Sequence, residues 1–236
     1  MMKVYYAGGT LGDTYVILCK LYREAQKGRI TCSHYTSLND LRPAIKEIYS
    51  LCPNISVEFR DSSSPNSEIV GQYFHHDPKQ ERRRQAIEDG EYKLQPEYNP
   101  EFDLGSIERF GLPQQYEMLQ LENGVNPNKM RRLDKNMIEV ISRKSKLPLV
   151  IVGKDDVKYE QMRYMMIDLR GKTSIKEAIN IIKNSAHFYG CLGLLSLVAL
   201  SQRVVSTLYL PRGYRDKRAF RSRIQPVAQW MRYVER

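Results

Sequence analysis

The sequence predicts an α/β protein of two domains, each a parallel sheet flanked by helices. Three observations predict it. Strand-like apolar runs alternate with helix-period stripes over residues 3–59, and the alternation returns over residues 116–210. Between them, residues 61–113 are polar, rich in Ser, Pro, Tyr and Glu, with few periodic stripes. Glycine-bearing turns follow strands in both halves, at the carboxyl ends where α/β sheets bind ligands.

The elements follow in order. Lys3 to Ala7 reads as a buried strand, and Asp13 to Gln26 as a helix stopped by Gly28. Ile30 to Tyr35 is a second strand. Ser37-Leu38-Asn39-Asp40 resembles a capping box, and Leu38, Leu41, Ile45, Ile48 and Leu51 continue as a helical stripe ended by Pro53. Ile55 to Phe59 alternates like a third strand. The polar middle reads as loops with one short helix, and so long an irregular stretch is usually functional or mobile. In the second half, Tyr116 to Leu121 is a strand and Glu122 to Arg132 a Gly/Asn-rich turn. A helix over Asp134 to Lys144 and strands over Pro148 to Val152 and Met165 to Leu169 come next. Ser174 to Glu177 is a capping box opening a helix; His187 to Gly190, Gly193 to Ser201 and Val204 to Leu210 read as strand, helix and strand. Phe220, Ile224, Val227 and Met231 stand at near-helical spacing, so the tail reads as a terminal helix that carries Trp230. The expected boundaries are 1–113, 114–212 and 213–236, the last a C-terminal helix crossing back toward the first domain. Both halves should be Rossmann-like, with the ligand in a cleft at the strands' carboxyl ends.

Composition narrows the function. The 236 residues are 42% hydrophobic and 27% charged, an ordinary globular balance. No apolar run approaches the roughly 20 residues of a membrane span, and Met1-Met2-Lys3 leads into a strand rather than a signal peptide. A cytoplasmic protein is expected, in the host's cytoplasm if the chain is viral. Cys19, Cys32, Cys52 and Cys191 form no C-x-x-C pair and should be buried reduced thiols. The net charge of +10 predicts an anionic partner. Its clusters are Arg82, Arg83 and Arg84; Lys129, Arg131 and Arg132; and a run holding Arg212, Arg215, Lys217, Arg218, Arg221 and Arg223. The first and third are candidate nucleic-acid contacts, against a plain solvated basic surface.

The opening turn, "AGGTLGDTYVILCKLY", admits three readings. Ala7, Gly9 and Gly12 are a degenerate dinucleotide fingerprint, but the second strand ends in Ser33-His34-Tyr35-Thr36, without the carboxylate that holds a ribose. A structural turn is the second reading, with Gly12 supplying backbone freedom and Asp13 capping the helix. In the third, Asp13 is a general base facing the cleft from a strand-to-helix turn.

"GGTLGDTYVILCKLY" resembles the opening of the lipopolysaccharide heptosyltransferase family, a strand running into Gly-x-Leu-Gly-Asp and a helix. "YEMLQLENGVNPNKMRRLDKNMIEVI", "LPLVIVGKDD" and "IDLRGKTSIKEAINIIKNSAHFYG" are similar, in order, to segments of that family's nucleotide-sugar domain. Together they cover about half of the chain. The resemblance implies a glycosyltransferase of the GT-B class (glycosyltransferase family 9-like), with two Rossmann-like domains facing a cleft. It implies direct displacement without a metal or cofactor, a nucleotide sugar as co-substrate, and Asp13 as base on the acceptor hydroxyl. Gly9, Thr10, Leu11 and Gly12 become the acceptor loop. Asn123, Gly124, Lys129, Arg131, Arg132, Gly153, Lys154, Gly193 and Ser196 become donor-binding positions. One departure stands out. Where the family carries Asp-Ser/Thr-Gly-x-x-His, this chain has Cys191-Leu192-Gly193-Leu194-Leu195-Ser196, which argues against heptose as the donor sugar.

For the acceptor, small size and basic clusters resemble bacteriophage enzymes that glycosylate hydroxymethylated DNA bases, and this reading is placed slightly ahead. A lipopolysaccharide core or other anionic glycolipid is the alternative. A non-catalytic nucleic-acid-binding protein on the same fold is the reading from another class.

Overall fold

A computed structural model describes residues 3–36, 38–61, 69–71, 100–121, 133–153, 166–210, 229 and 231–235. The chain divides into two compact units, Met1–Asp103 with Arg218–Pro226, and Leu104–Lys217 with Val227–Arg236.

The first unit is built on β1 (Lys3–Gly8), α1 (Leu11–Gln26), β2 (Ile30–Tyr35), α2 (Arg42–Tyr49), β3 (Ile55–Arg60) and β4 (Ile69–Gly71). The strands are parallel in the order β3-β2-β1-β4. Right-handed crossovers that step steadily from β1 to β3 put both connecting helices on one face, and α1 does pack on α2. Tyr15, Ile17, Leu18 and Leu21 of α1 and Ile45, Ile48 and Tyr49 of α2 are fully or almost fully buried there. Phe102 meets the rings of Tyr15 and Tyr22 edge-on, and the Tyr22 hydroxyl donates to the Glu101 carbonyl at 2.7 Å. Each such aromatic pair adds about 0.5–1.5 kcal/mol beyond its buried area.

Three expectations change here. The α1 helix begins at Leu11, with Thr10 as N-cap, so Asp13 sits at the third helical position rather than at the cap. The stripe expected from Leu38 starts as a 3-10 turn over Asn39–Leu41 and becomes α-helical only at Arg42, with Pro43 in its first turn. Pro cannot donate and fits only where N–H groups are unpartnered, so it fixes the start. Leu38 is left exposed, and Ser37 of the expected capping box lies outside the described residues. Finally, β4 occupies part of the stretch read as irregular; its three residues carry no period to detect.

The second unit contains β5 (Glu117–Leu119), α3 (Lys135–Lys144), β6 (Leu149–Ile151), β7 (Met166–Asp168), α4 (Ile175–Lys183), β8 (His187–Gly190), α5 (Leu194–Ser201), β9 (Ser206–Leu210) and β10 (Met231–Glu235). All pairings are parallel, in the order β10-β9-β8-β5-β6-β7. Counting strands from β5, this is the Rossmann order 3-2-1-4-5-6, and the first unit shows its opening, 3-2-1-4. Leu119, Leu133, Ile138, Ile141, Leu149 and Ile151 form one core cluster beneath α3. The α4 capping box is present: the Glu177 N–H donates to Ser174 Oγ at 3.1 Å and the Ser174 N–H to Glu177 Oε2 at 2.9 Å. Arg109 lays its fork on the same carboxylate, at 2.7 and 2.9 Å, and these bonds hold Glu177 down to about 2.

The terminal helix is corrected over its last residues. Met231–Glu235 is a strand in register with Ser206–Leu210. Hydrophobic and charged side chains interleave in Met-Arg-Tyr-Val-Glu, and without β10 the edge of β9 would leave a row of backbone groups unpaired. The rest of the expected helix, 213–228 with Trp230, lies outside the described residues. Among the described residues no helix is long and apolar enough to cross a membrane.

Candidate active site

A sheet of this order reverses its winding between strands one and four, and the crevice outside their carboxyl ends is the ligand position of open α/β folds. In the first unit that place lies after β1, beside β4. There the turn residues Gly9, Thr10, Leu11 and Gly12 run into Asp13. Gly8 and Gly9 are buried, Thr10 to Gly12 are half-buried, and Asp13 is only 7% exposed.

Asp13 is tied into the turn it follows. Its Oδ2 accepts the Thr10 N–H and the Thr10 hydroxyl, each at 3.1 Å. Gly9 explains how the carboxylate comes so close. With φ at +130°, a Cβ on residue 9 would fall 2.6 Å from Asp13 Cβ and 2.8 Å from Oδ2. Any side chain at residue 9 would therefore both strain the backbone and expel the carboxylate. Gly12, which the sequence marks for backbone freedom, is an ordinary helical residue with no positive φ. The peptide of Gly9 is held at both ends by β2: its N–H donates to the Tyr35 carbonyl at 3.1 Å, and its carbonyl lies 3.4 Å from His34 Nε2.

His34 was legible only as the lack of a ribose-binding carboxylate. In the structure its ring is fully buried, with Nδ1 at 3.0 Å from the Tyr49 hydroxyl, which also accepts from the Cys32 thiol at 3.2 Å. Phe59 stands edge-on to the ring. Burial drives the imidazole down to about 4; the Gly9 bond opposes this, the Arg60 charge adds to it and Asp13 opposes it. Burial likewise raises Cys32 to about 12 and Tyr49 well above its ordinary value, so the group is neutral throughout. Arg60, in register with Tyr35 at the same carboxyl end of the sheet, donates to the Ala7 carbonyl at 3.2 Å. Its partners are 15 and 25 residues away along the chain, so no local sequence signal marks its role.

The His34 shift carries a stability prediction. Its folded pKa is depressed, so the unfolded chain takes up a proton that the fold refuses. Stability from this group is complete above about 6.5 and is lost as pH falls toward 4. The loss expected near pH 4.5 is on the order of 2–3 kcal/mol. Urea unfolding at pH 7.5 and 4.5, compared with His34→Phe, checks it: the variant's stability should fall less by that amount. Parallel curves would mean that the ring protonates without cost.

In the second unit the reversal lies between β5 and β8. Gly190 ends β8 in close contact with β5: a Cβ there would lie 2.8 Å from the Phe188 ring and 3.0 Å from Gln120 Cβ. Gly193 is the N-cap of α5, at the beginning of the loop-to-helix step where the dipole favours anions. Ser196 is fully buried; its hydroxyl accepts the Gly193 N–H and donates to the Gly193 carbonyl, both at 2.9 Å. It therefore holds the turn from inside. Gly153 follows β6 with φ +142°, at the next strand end. Asn123, Gly124, Lys129, Arg131, Arg132 and Lys154, with Arg82 to Arg84 and Arg212 to Arg223, lie outside the described residues. The four cysteines are buried.

Two parallel Rossmann-type units, each with its glycine turn at the reversal, are the plan of the GT-B fold. Solved glycosyltransferase structures match most of the chain. The ADP-heptose lipopolysaccharide heptosyltransferase II of E. coli matches with a TM-score of 0.59 and 11% identity, over 99% of this chain and 90% of that one. A glycosyl transferase family 9 protein of Veillonella parvula matches at 0.63 and 11%, over 99% and 86%. The iron-containing dodecameric heptosyltransferase TibC of E. coli, in complex with ADP-D-beta-D-heptose, matches at 0.55 and 16%, over 89% and 58%. At these identities the likeness is one of fold. No protein-family model and no curated protein matches the sequence.

Proposed function

We propose that this chain is a glycosyltransferase that moves a sugar from a nucleotide sugar to a hydroxyl acceptor by direct displacement, without a metal. One observation carries the reading. A carboxylate, Asp13, is fixed at the reversal point of the first sheet by a turn whose Gly9 leaves room for it and nothing else. In the proposed reaction the acceptor oxygen attacks the anomeric carbon as Asp13 takes its proton. The bond from that carbon to the diphosphate breaks, and its electron pair leaves on the phosphate oxygen. The first unit binds the acceptor and the second the donor. Lys129, Arg131 and Arg132, with the α5 N-terminus at Gly193, neutralise the departing diphosphate. Asn123, Gly124, Gly153 and Lys154 complete the donor side. A fold neighbour solved with ADP-D-beta-D-heptose supports a nucleotide sugar as donor.

The acceptor proposed is the hydroxyl of a hydroxymethylated base in DNA, with a phosphorylated glycolipid second. The net charge of +10 favours a polyanion in either case. The test is transfer from a panel of radiolabelled sugar nucleotides, with EDTA present, to hydroxymethylated DNA and to lipopolysaccharide core in parallel. Label on DNA supports the first acceptor and label on the glycolipid the second. Binding to DNA with no turnover of any donor would replace both by the non-catalytic nucleic-acid-binding reading.

A further inference from the structure

The carboxylate of the proposed reaction is held by a turn, and the turn is held by a buried polar chain that no part of that reaction uses. The directions of its hydrogen bonds can be followed one proton at a time. The Cys32 thiol donates to the Tyr49 oxygen. Tyr49 then has its single proton to give, and the acceptor within reach is His34 Nδ1 at 3.0 Å. With Nδ1 accepting, the neutral ring carries its proton on Nε2, which points to the Gly9 carbonyl at 3.4 Å. Every donor in the chain has one proton and one recipient. The end of the chain is the residue whose missing side chain admits Asp13.

We propose that His34, fixed by Tyr49 as its Nε2–H tautomer, is the positioning residue of the Asp13 turn: it clamps the Gly9 carbonyl while Tyr35 clamps the Gly9 N–H. The inference rests on the glycosyltransferase reading for its kinetic consequence, but not for its geometry. His34 touches no substrate; it acts through Gly9 on where the carboxylate stands. The charged and titratable groups around the ring are Asp13 from α1, Arg60 from β3, Tyr49 from α2 and Cys32 on its own strand. The ring's burial keeps it neutral well below pH 7, so the clamp holds over the working range. A displacement of a reacting group by about 1 Å is enough to cost up to about 10²-fold in rate, which sets the expected scale.

The experiment joins ring-nitrogen NMR of the wild-type protein with kinetics of His34→Phe, His34→Gln and Tyr49→Phe, and Asp13→Asn as reference. The wild-type ring should show a protonated Nε2 and an accepting Nδ1 at pH 7, and Tyr49→Phe should weaken that bias, leaving the Gly9 carbonyl alone to favour it. Per folded molecule, His34→Phe should lower kcat about 10–100-fold, with KM for the sugar nucleotide and diphosphate affinity within about twofold. Gln, which can still donate an N–H from the same depth, should recover much of the loss. A protonated Nδ1 overturns the proposal. So does a wild-type kcat in His34→Phe when Asp13→Asn abolishes transfer. If Asp13→Asn is also harmless, or no sugar nucleotide is turned over, the glycosyltransferase reading has failed instead. The Gly9 carbonyl 13C shift then decides the clamp by itself: displaced in His34→Phe it stands, unmoved it falls.

Discussion

Asp13→Asn should cut sugar transfer by about 10²–10⁴-fold, the range of lost acid–base catalysis, while the fold and the affinity for nucleoside diphosphate stay close to wild type. The amide keeps an oxygen where Oδ2 now accepts the Thr10 N–H and hydroxyl, so the turn survives. What disappears is the negative charge in the first turn of α1, worth about 0.3–1 kcal/mol to the helix dipole, and with it the ability to take a proton. Stability and catalysis are thus separable at one position. Single-turnover transfer, measured beside thermal unfolding and diphosphate calorimetry, gives the answer. Near-normal turnover would reduce Asp13 to a part of the capping box.

Affinity for duplex DNA should fall with salt along a log–log slope near −5, if roughly six phosphates are neutralised at about −0.9 each. Between about 50 and 200 mM salt that is a loss of about 10³-fold. The motive is the net charge of +10, concentrated in Arg82 to Arg84 and in the run from Arg212 to Arg223. Neutralising that run should flatten the slope and leave diphosphate affinity unchanged. Absence of DNA binding at about 50 mM salt, together with transfer to a phosphorylated glycolipid, would move the acceptor to the glycan.

Much of this architecture is legible in the sequence because its signals are local. A strand followed by Gly-Gly-Thr-Leu-Gly-Asp announces a strand-to-helix turn, and Ser174 to Glu177 announces a helix start; the second helix begins where expected and the first two residues earlier. Signals that need a partner are not local. Three residues of β4 have no period, and β10 looks helical until the free edge of β9 is there to receive it. Pro43 in its first turn places the start of α2, a signal that the apolar stripe from Leu38 masks. The same holds in the site. Asp13 announces itself by its place in a motif. His34 is one polar residue on an apolar strand, and its meaning comes from Tyr49 on α2 and Gly9 after β1. Ser196 likewise shows its setting only in the fold, where burial turns the hydroxyl inward to its own backbone.

The four thiols give the protein an internal pair of clocks. Cys19, Cys32 and Cys52 belong to the first unit and Cys191 to the second, and none is more than 2% exposed. Alkylating reagents attack thiolates, so a thiol that is both covered and held protonated, as Cys32 is, reacts only while its surroundings are open. Pulsed alkylation read by mass spectrometry should therefore time the opening of each unit separately, in one sample and without an introduced label. Cys32, hydrogen-bonded to Tyr49, times the very chain of contacts that ends at the Asp13 turn.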